Sequence, residues 1–254
     1  MPIHKSTSEK TKHSKHSKHT NQTNRKKTIK KKPMEVEFEA RFLEIDRESL
    51  IEKIKALGGH QKSPLTVYRR SVFGLCDIKK GYVRVRDEGN TVTLTAKIYK
   101  DPKFPEEYEL NIKDDFANGQ AFLRALNLTE KAYHETMREK WTIPNRGGKN
   151  ELCEVTFDYI PGLPVYSEVE CKTKANLSKS IKMLKLNRDK MRFGGYGNAY
   201  AEYYGISLTE INNEIPSITF GNIEEELEKY IHKNKDLLQT TAKSHLEVYK
   251  RTKK

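Results

Sequence analysis

Residues 34–46 alternate strictly between polar and apolar positions. Glu35, Glu37, Glu39 and Arg41 fall on one side, and Val36, Phe38, Ala40 and Phe42 on the other. A period of two predicts a β-strand, whose successive side chains point to opposite faces. One face of that strand carries three carboxylates and a guanidinium. Carboxylates at i and i+2 stand roughly 7 Å apart along a strand, so such a row repels itself and calls for positive charge opposite it.

The same alternation recurs along the chain. Leu65–Gly74 is β-branched and aromatic enough for a strand; its Arg69 and Arg70 face opposite ways, and the pattern does not say which points inward. Tyr82–Arg86 sets Arg84 and Arg86 against Val83 and Val85. Asp87–Asn90 is a hairpin turn, and the next strand gathers Thr91, Thr93, Thr95 and Lys97 on its polar face. Glu107 and Glu109 share a face after the Pro-containing loop at 101–105. Tyr133–Ile143 puts Arg138 and Lys140 opposite Met137, Trp141 and Ile143. Following a turn at 146–149, Glu151–Ile160 puts Glu154, Thr156 and Asp158 opposite Cys153, Val155, Phe157 and Tyr159. Val165–Lys172 puts Glu168 and Glu170 opposite Val169 and Cys171.

Helical periodicity separates these strands. Asp46 can cap a helix with the apolar stripe Leu50, Ile51, Ile54 and Leu57, ended by Gly58-Gly59. Asp115–Leu128 and residues 176–186 read as two more helices, and Ala199–Tyr204 as a short aromatic piece. Ile223, Leu227, Ile231, Leu238, Leu246 and Tyr249 mark one long amphipathic helix, expected to pack on the domain rather than to dock a partner.

Eight strands with one charged and one apolar face restrict the architecture. Amphipathic helices can cover the apolar faces. Charged strand faces are usually solvated, but the same polarity on eight strands favours an α+β fold: a closed eight-stranded antiparallel β-barrel, a tunnel with a charged interior and helices packed outside. Its interior acids are Glu37, Glu39, Glu107, Glu109, Glu154, Asp158, Glu168 and Glu170. Its bases are Arg41, Arg84, Arg86, Lys97, Arg138 and Lys140. A transmembrane barrel shares this inside-out polarity, but the intervening helices argue against it.

Charge refines the division of the chain. Of the net +13, residues 1–33 carry most, with eleven Lys and Arg against one Glu, whereas the rest is nearly balanced. That low-complexity Lys, His, Ser and Thr segment is expected to be a disordered basic tail able to contact RNA phosphates or address a nucleus. Residues 34–205 then form the barrel domain and 206–254 a C-terminal helical extension. Cys76, Cys153 and Cys171 are odd in number and widely spaced. They suggest neither a disulfide framework nor a zinc site, and favour a reducing, cytoplasmic setting, with the nucleus as the other option. No apolar run reaches transmembrane length, and no signal-peptide pattern is read at the N-terminus.

Clustered arginines and lysines bind phosphate oxygens, and clustered carboxylates bind Mg²⁺ or Mn²⁺. Both in one cavity describe a site for a metal-complexed polyphosphate. At this point the residues resemble a known family. Glu37-Phe38-Glu39-Ala40-Arg41 is similar to the E-x-E-x-K signature of CYTH domains, the triphosphate tunnel metalloenzymes. The resemblance continues through Arg84-Val85-Arg86, Thr95-Ala96-Lys97, Glu107-Tyr108-Glu109, Arg138, Asp158 with the following Pro161-Gly162-Leu163-Pro164, and Glu168-Val169-Glu170. It spans about residues 34–205 and is greatest to the small CyaB-like proteins described as class IV adenylyl cyclases.

The resemblance implies metal ligands at Glu37, Glu39, Glu168 and Glu170. It implies triphosphate-binding cations at Arg41, Arg84, Arg86, Lys97 and Arg138, with Lys140 added from its place on the same face. Glu109 and Asp158 match further acidic positions and are the candidate catalytic groups. Three positions depart from the family pattern: Arg41 replaces a lysine, Thr136 a basic residue, and Pro164 a glycine.

The expected activity is metal-dependent hydrolysis of a triphosphate-bearing substrate, whether inorganic, nucleotide, thiamine or RNA 5′-triphosphate. Cyclisation of ATP to cyclic AMP is the first alternative, and non-catalytic binding of polyphosphate or an RNA 5′ end the second.

Overall fold

A computed structural model of the chain describes residues 38–75, 81–99, 106–145 and 151–253. The described residues form an α+β structure with ten strands in one sheet and seven α-helices. In chain order these are β1 (Phe38–Phe42), α1 (Arg47–Ala56), β2 (His60–Gly74), β3 (Gly81–Asp87), β4 (Val92–Ile98), β5 (Glu106–Ile112), α2 (Phe116–Ala125), β6 (Glu130–Pro144), β7 (Glu151–Tyr159) and β8 (Tyr166–Cys171). Next come α3 (Lys174–Met183), β9 (Met191–Arg192), α4 (Gly197–Tyr204), α5 (Leu208–Asn213), β10 (Ser217–Ile218), α6 (Ile223–Leu227) and α7 (Lys235–Thr252).

The strands pair in the order β5-β4-β3-β2-β6-β7-β8-β1-β9, all antiparallel, while β10 adds to β6 in parallel. Among the described residues no pairing joins β5 to β1, so the sheet is described as large and antiparallel rather than as a closed barrel. It is nonetheless curved. Lys97 on β4 lies within electrostatic reach of Glu39 on β1, although these strands stand near opposite ends of the order.

The apolar strand faces and the helix stripes meet on the convex side. Leu50 and Ile54 of α1, with Leu177 and Ile181 of α3, cover Ala40, Phe42, Val155, Phe157 and Val169. Each Leu, Ile, Val or Phe among them contributes roughly 1.5–3 kcal/mol on burial. Asp46 caps α1 as expected, and Asp115 and Thr173 cap α2 and α3 in the same way, each accepting a bond from the backbone N–H three residues on; α3 thereby starts two residues before the expected 176. Beneath α1, Glu139 is buried but fully engaged by Arg47, Gln61 and the Trp141 indole.

Two expectations change. The C-terminal stripe forms two helices, because Asn234 adopts a left-handed φ of 57° and its side-chain amide donates to the Tyr203 carbonyl at 2.7 Å. The bend lets α7 turn its Leu238 and Ala242 onto Tyr200, Tyr204 and Leu163. Secondly, Cys153 and Cys171 form a disulfide. They are 18 residues apart in sequence but directly opposite on β7 and β8, with Cα atoms 4.4 Å apart. Spacing along the chain does not reveal register, and with this bond in place cysteine usage no longer argues for a reducing compartment. Cys76, the 146–149 turn and the basic tail lie outside the described residues. No helix among the described residues is long and apolar enough to cross a membrane.

His245 of α7 is 3% exposed, donates from Nδ1 to the Ile160 carbonyl at 3.1 Å, and is edged by Tyr159 and Phe220. Burial lowers its pKa from 6.5 to about 4. The unfolded chain therefore binds this proton more readily than the folded one. The stability it confers is complete above about 6.5 and is lost as pH falls towards 4. A His245→Gln variant should lose less stability than the parent between these pH values, by on the order of 3 kcal/mol in urea titrations. Truncation at the other contact, Leu238→Ala, should cost about 2–4 kcal/mol in the same assay.

Candidate active site

Directly opposed residues in a sheet share a face, so register assembles the concave side. Glu39 stands opposite Glu170, and Glu170 opposite Glu154; Arg41 stands opposite Glu168, and Glu168 opposite Thr156. Arg138 faces Asp158, and Lys140 faces Thr156. Across the other half, Arg84 faces Thr95, Thr95 faces Glu109, and Lys97 faces Glu107. The chain alternation thus places the sequence-predicted cations and acids together on one surface. Glu37 lies outside the described residues.

Glu39, Glu168 and Glu170 converge, with one carboxylate oxygen from each within 4.8 Å of the others. Arg41 reaches Glu39 at 3.1 Å and Glu168 at 2.6 Å. Burial, followed by the neighbouring Glu168 charge, raises the Glu39 pKa. At Glu168 burial also pushes upward, but Arg41, Arg138 and Lys97 outweigh it and hold the carboxyl at about 2. A trio of crowded carboxylates with hard oxygen donors fits a divalent cation such as Mg²⁺. Glu39 in particular is placed where added positive charge would favour its ionised form.

The cations are half-buried, Arg84 fully so, and largely paired. Arg138 grips Asp158 through two bonds, at 2.6 and 3.0 Å, and lies 3.8 Å from Glu168; Thr156 donates to the same Asp158 at 2.7 Å. Arg84 donates to Thr95, whose hydroxyl donates to Glu109 at 2.8 Å, and both Arg84 and Arg86 approach Glu109 at 3.6 and 3.7 Å. Lys97 contacts Glu107, and Lys140 lies 3.5 Å from Glu88 and 3.8 Å from Glu154. Burial and the adjacent Arg84 lower Arg86 to about 10, a sign of surplus positive potential. Among the described residues, Nε and Nη1 of Arg41 and Nε of Arg86 are buried donors without an acceptor. Those orphaned donors suit an anion between them.

Several residues of this face escaped sequence reasoning. Glu88 belongs to the hairpin turn, yet it folds back onto Arg86 and Lys140. Tyr82 stands opposite Lys97; burial opposes its ionisation, but Arg84, Lys97 and Arg70 together lower its pKa. Arg70, His134 and Tyr196 also gather here. For Tyr82 and His134 the alternation placed them inward, and only the emphasis on charged residues passed them over.

Removing the carboxylate of Asp158 should strand a buried guanidinium. Asp158→Asn is expected to cost about 3–5 kcal/mol in urea denaturation. Glu109→Gln, whose side chain is 41% exposed, should cost less than about 1 kcal/mol.

Residues 34–188 match the CYTH domain model. No curated protein matches the chain. Among solved structures, a "putative adenylate cyclase" from Vibrio parahaemolyticus is similar at 10% identity and TM-score 0.55, over 66% of this chain and 99% of that one. The PH1819 protein from Pyrococcus horikoshii is similar at 19% identity and TM-score 0.50, over 65% and 98%. PH1012 from the same organism is similar at 16% identity and TM-score 0.50, over 61% and 94%. At these identities the likeness shows a shared fold.

Proposed function

The chain belongs to the CYTH domain family, and from that premise we propose that it hydrolyses a triphosphate-bearing substrate with the help of Mg²⁺ or Mn²⁺. One observation carries the reading: a trio of converging carboxylates lies beside Arg41, whose guanidinium keeps two buried donors without acceptors. Acids alone would suggest a cation site, and cations alone an anion site. Their adjacency suits a metal–phosphate complex.

In this reading Glu39, Glu168 and Glu170 hold the ion, joined by Glu37. When bound, the ion polarises a phosphoryl oxygen and offsets the charge that develops in phosphoryl transfer. Arg41, Arg84, Arg86, Lys97, Arg138 and Lys140 take the phosphate oxygens, exchanging carboxylate partners for the substrate. Asp158, held by both donors of Arg138 and by Thr156, fixes the direction of that guanidinium. Glu109 accepts from Thr95 and is partly open to solvent, which suits it to orient a water. The curved sheet closes into a tunnel around the substrate, and the basic segment 1–33 gives a triphosphorylated RNA end additional contacts. A cytoplasmic setting, where nucleotides and Mg²⁺ meet, accords with this chemistry.

The test is a panel of tripolyphosphate, ATP, thiamine triphosphate and triphosphorylated RNA, each with Mg²⁺ and with Mn²⁺, scored for orthophosphate and pyrophosphate. Orthophosphate release is expected. Pyrophosphate with cyclic AMP from ATP would move the assignment to cyclisation, and no release from any substrate would sink the enzyme reading. Glu39→Gln and Arg41→Met should each lower kcat/KM by roughly 100-fold or more. Deleting residues 1–33 should weaken turnover of RNA but not of tripolyphosphate.

A further inference from the structure

Arg70 differs from the other cations of the concave face. Each of the six cations assigned above has a carboxylate within ion-pair distance. Among the described residues Arg70 has none, and the β2–β3 register sets it directly opposite Arg86. Like charges facing each other across a strand pair are destabilising unless something anionic comes between them. On the other side Arg70 stands opposite His134 of β6, so that His134 shares the face of Arg138.

The hydrogen bonds fix the imidazole tautomer. Nε of Arg70 lies 3.4 Å from His134 Nδ1, and the Tyr196 hydroxyl lies 2.7 Å from the same atom. A guanidinium N–H can only donate, so Nδ1 is the acceptor. Burial and the Arg70 charge keep the ring neutral by holding its pKa well below the usual imidazole range. The single ring proton is therefore on Nε2. His134 is 8% exposed, and its Nε2 finds no hydrogen-bond partner among the described residues. Tyr196 lies under the Arg70 guanidinium at 4.5 Å from the ring centroid, which holds its plane in place.

We propose that Arg70, through its remaining N–H groups, and His134, through Nε2–H on the other side of the ring, each bind an anionic phosphate oxygen of the substrate, extending the phosphate-binding set by one cationic and one neutral residue. The assignment rests on the phosphate-binding reading of the same face. The N–H groups of Arg70 beyond the one spent on His134, and the unpartnered Nε2–H of His134, match groups that only accept, as non-bridging phosphoryl oxygens do. Arg70 also binds without first surrendering a carboxylate.

Calorimetric titration of tripolyphosphate with Mg²⁺, alongside thermal denaturation without ligand, separates this role from a structural one. Arg70→Gln and His134→Phe should each weaken tripolyphosphate binding roughly tenfold. The ligand-free Tm of Arg70→Gln should be unchanged or higher, since the opposition to Arg86 is relieved. His134→Gln, which offers an amide N–H near the Nε2 position, should bind close to the parent. If the parent binds tripolyphosphate and both Arg70→Gln and His134→Phe bind it equally well, the proposal is overturned while the phosphate reading stands. A lowered Tm in Arg70→Gln with unchanged affinity would make Arg70 structural. Should the parent bind neither tripolyphosphate nor ATP, the reading of the face fails and the assignment falls with it. If His134→Phe does not fold, Arg70→Gln decides the matter alone.

Discussion

Arg41 and Arg138 both reach Glu168, at 2.6 and 3.8 Å, and this shared carboxylate ties β1, β8 and β6 across the concave face. Glu168 is 3% exposed, so its charge has lost nearly all its water. A buried carboxylate tolerates that only when cations and hydrogen bonds replace the solvent. Arg41 and Arg138, with Lys97, outweigh the burial and hold the Glu168 pKa at about 2. The same arginines extend outward from it, Arg41 to Glu39 and Arg138 to Asp158. Take away the central charge and two buried guanidiniums each lose a partner.

Such a network gives little net stability, because desolvation offsets most of the attraction. Cohesion comes from the convex side, where α1 and α3 pack on the apolar faces of β1, β7 and β8. The two sides are coupled through the pleat. The Cys153–Cys171 disulfide sits on the covered side, one residue from Glu154 and Glu170 on the charged side. Rigid packing behind the strands thus fixes the spacing of the carboxylates in front of them. The C-terminal helix α7 contributes to a separate apolar cluster with Tyr200 and Tyr204, supporting the sheet from the segment that follows the matched domain.

The ion pairs of the concave face also bear on how, under the proposed function, it would accept a substrate. Most cations are already satisfied by carboxylates, so in the proposed function phosphate binding would be an exchange of partners rather than the filling of a positive pocket. Arg41 and Arg86 retain orphaned donors, and Arg70 lacks a carboxylate among the described residues. Under the proposed function these would be the positions where binding costs least. A divalent ion at Glu39, Glu168 and Glu170 would draw on two carboxylates that hold Arg41, Glu39 and Glu168, and would then couple metal and phosphate binding through one guanidinium.

Period-two alternation alone determined which side chains share a face: that Glu39 goes with Arg41, Arg84 with Arg86, and Glu168 with Glu170 is local geometry and needs no partner strand. The helix cap at Asp46 was equally legible, since its bond closes within three residues. Register decided the rest. Only strand pairing puts Arg138 on Asp158, Cys153 on Cys171 and Arg70 between Arg86 and His134. Only the fold of the hairpin turns Glu88 inward, and only the Asn234 contact with Tyr203 breaks the C-terminal helix. Glu39 thus found its neighbours across the sheet. Alternation fixes a direction for each side chain, but contact distances depend on how far one strand slides past another, and a chain read residue by residue does not contain that offset.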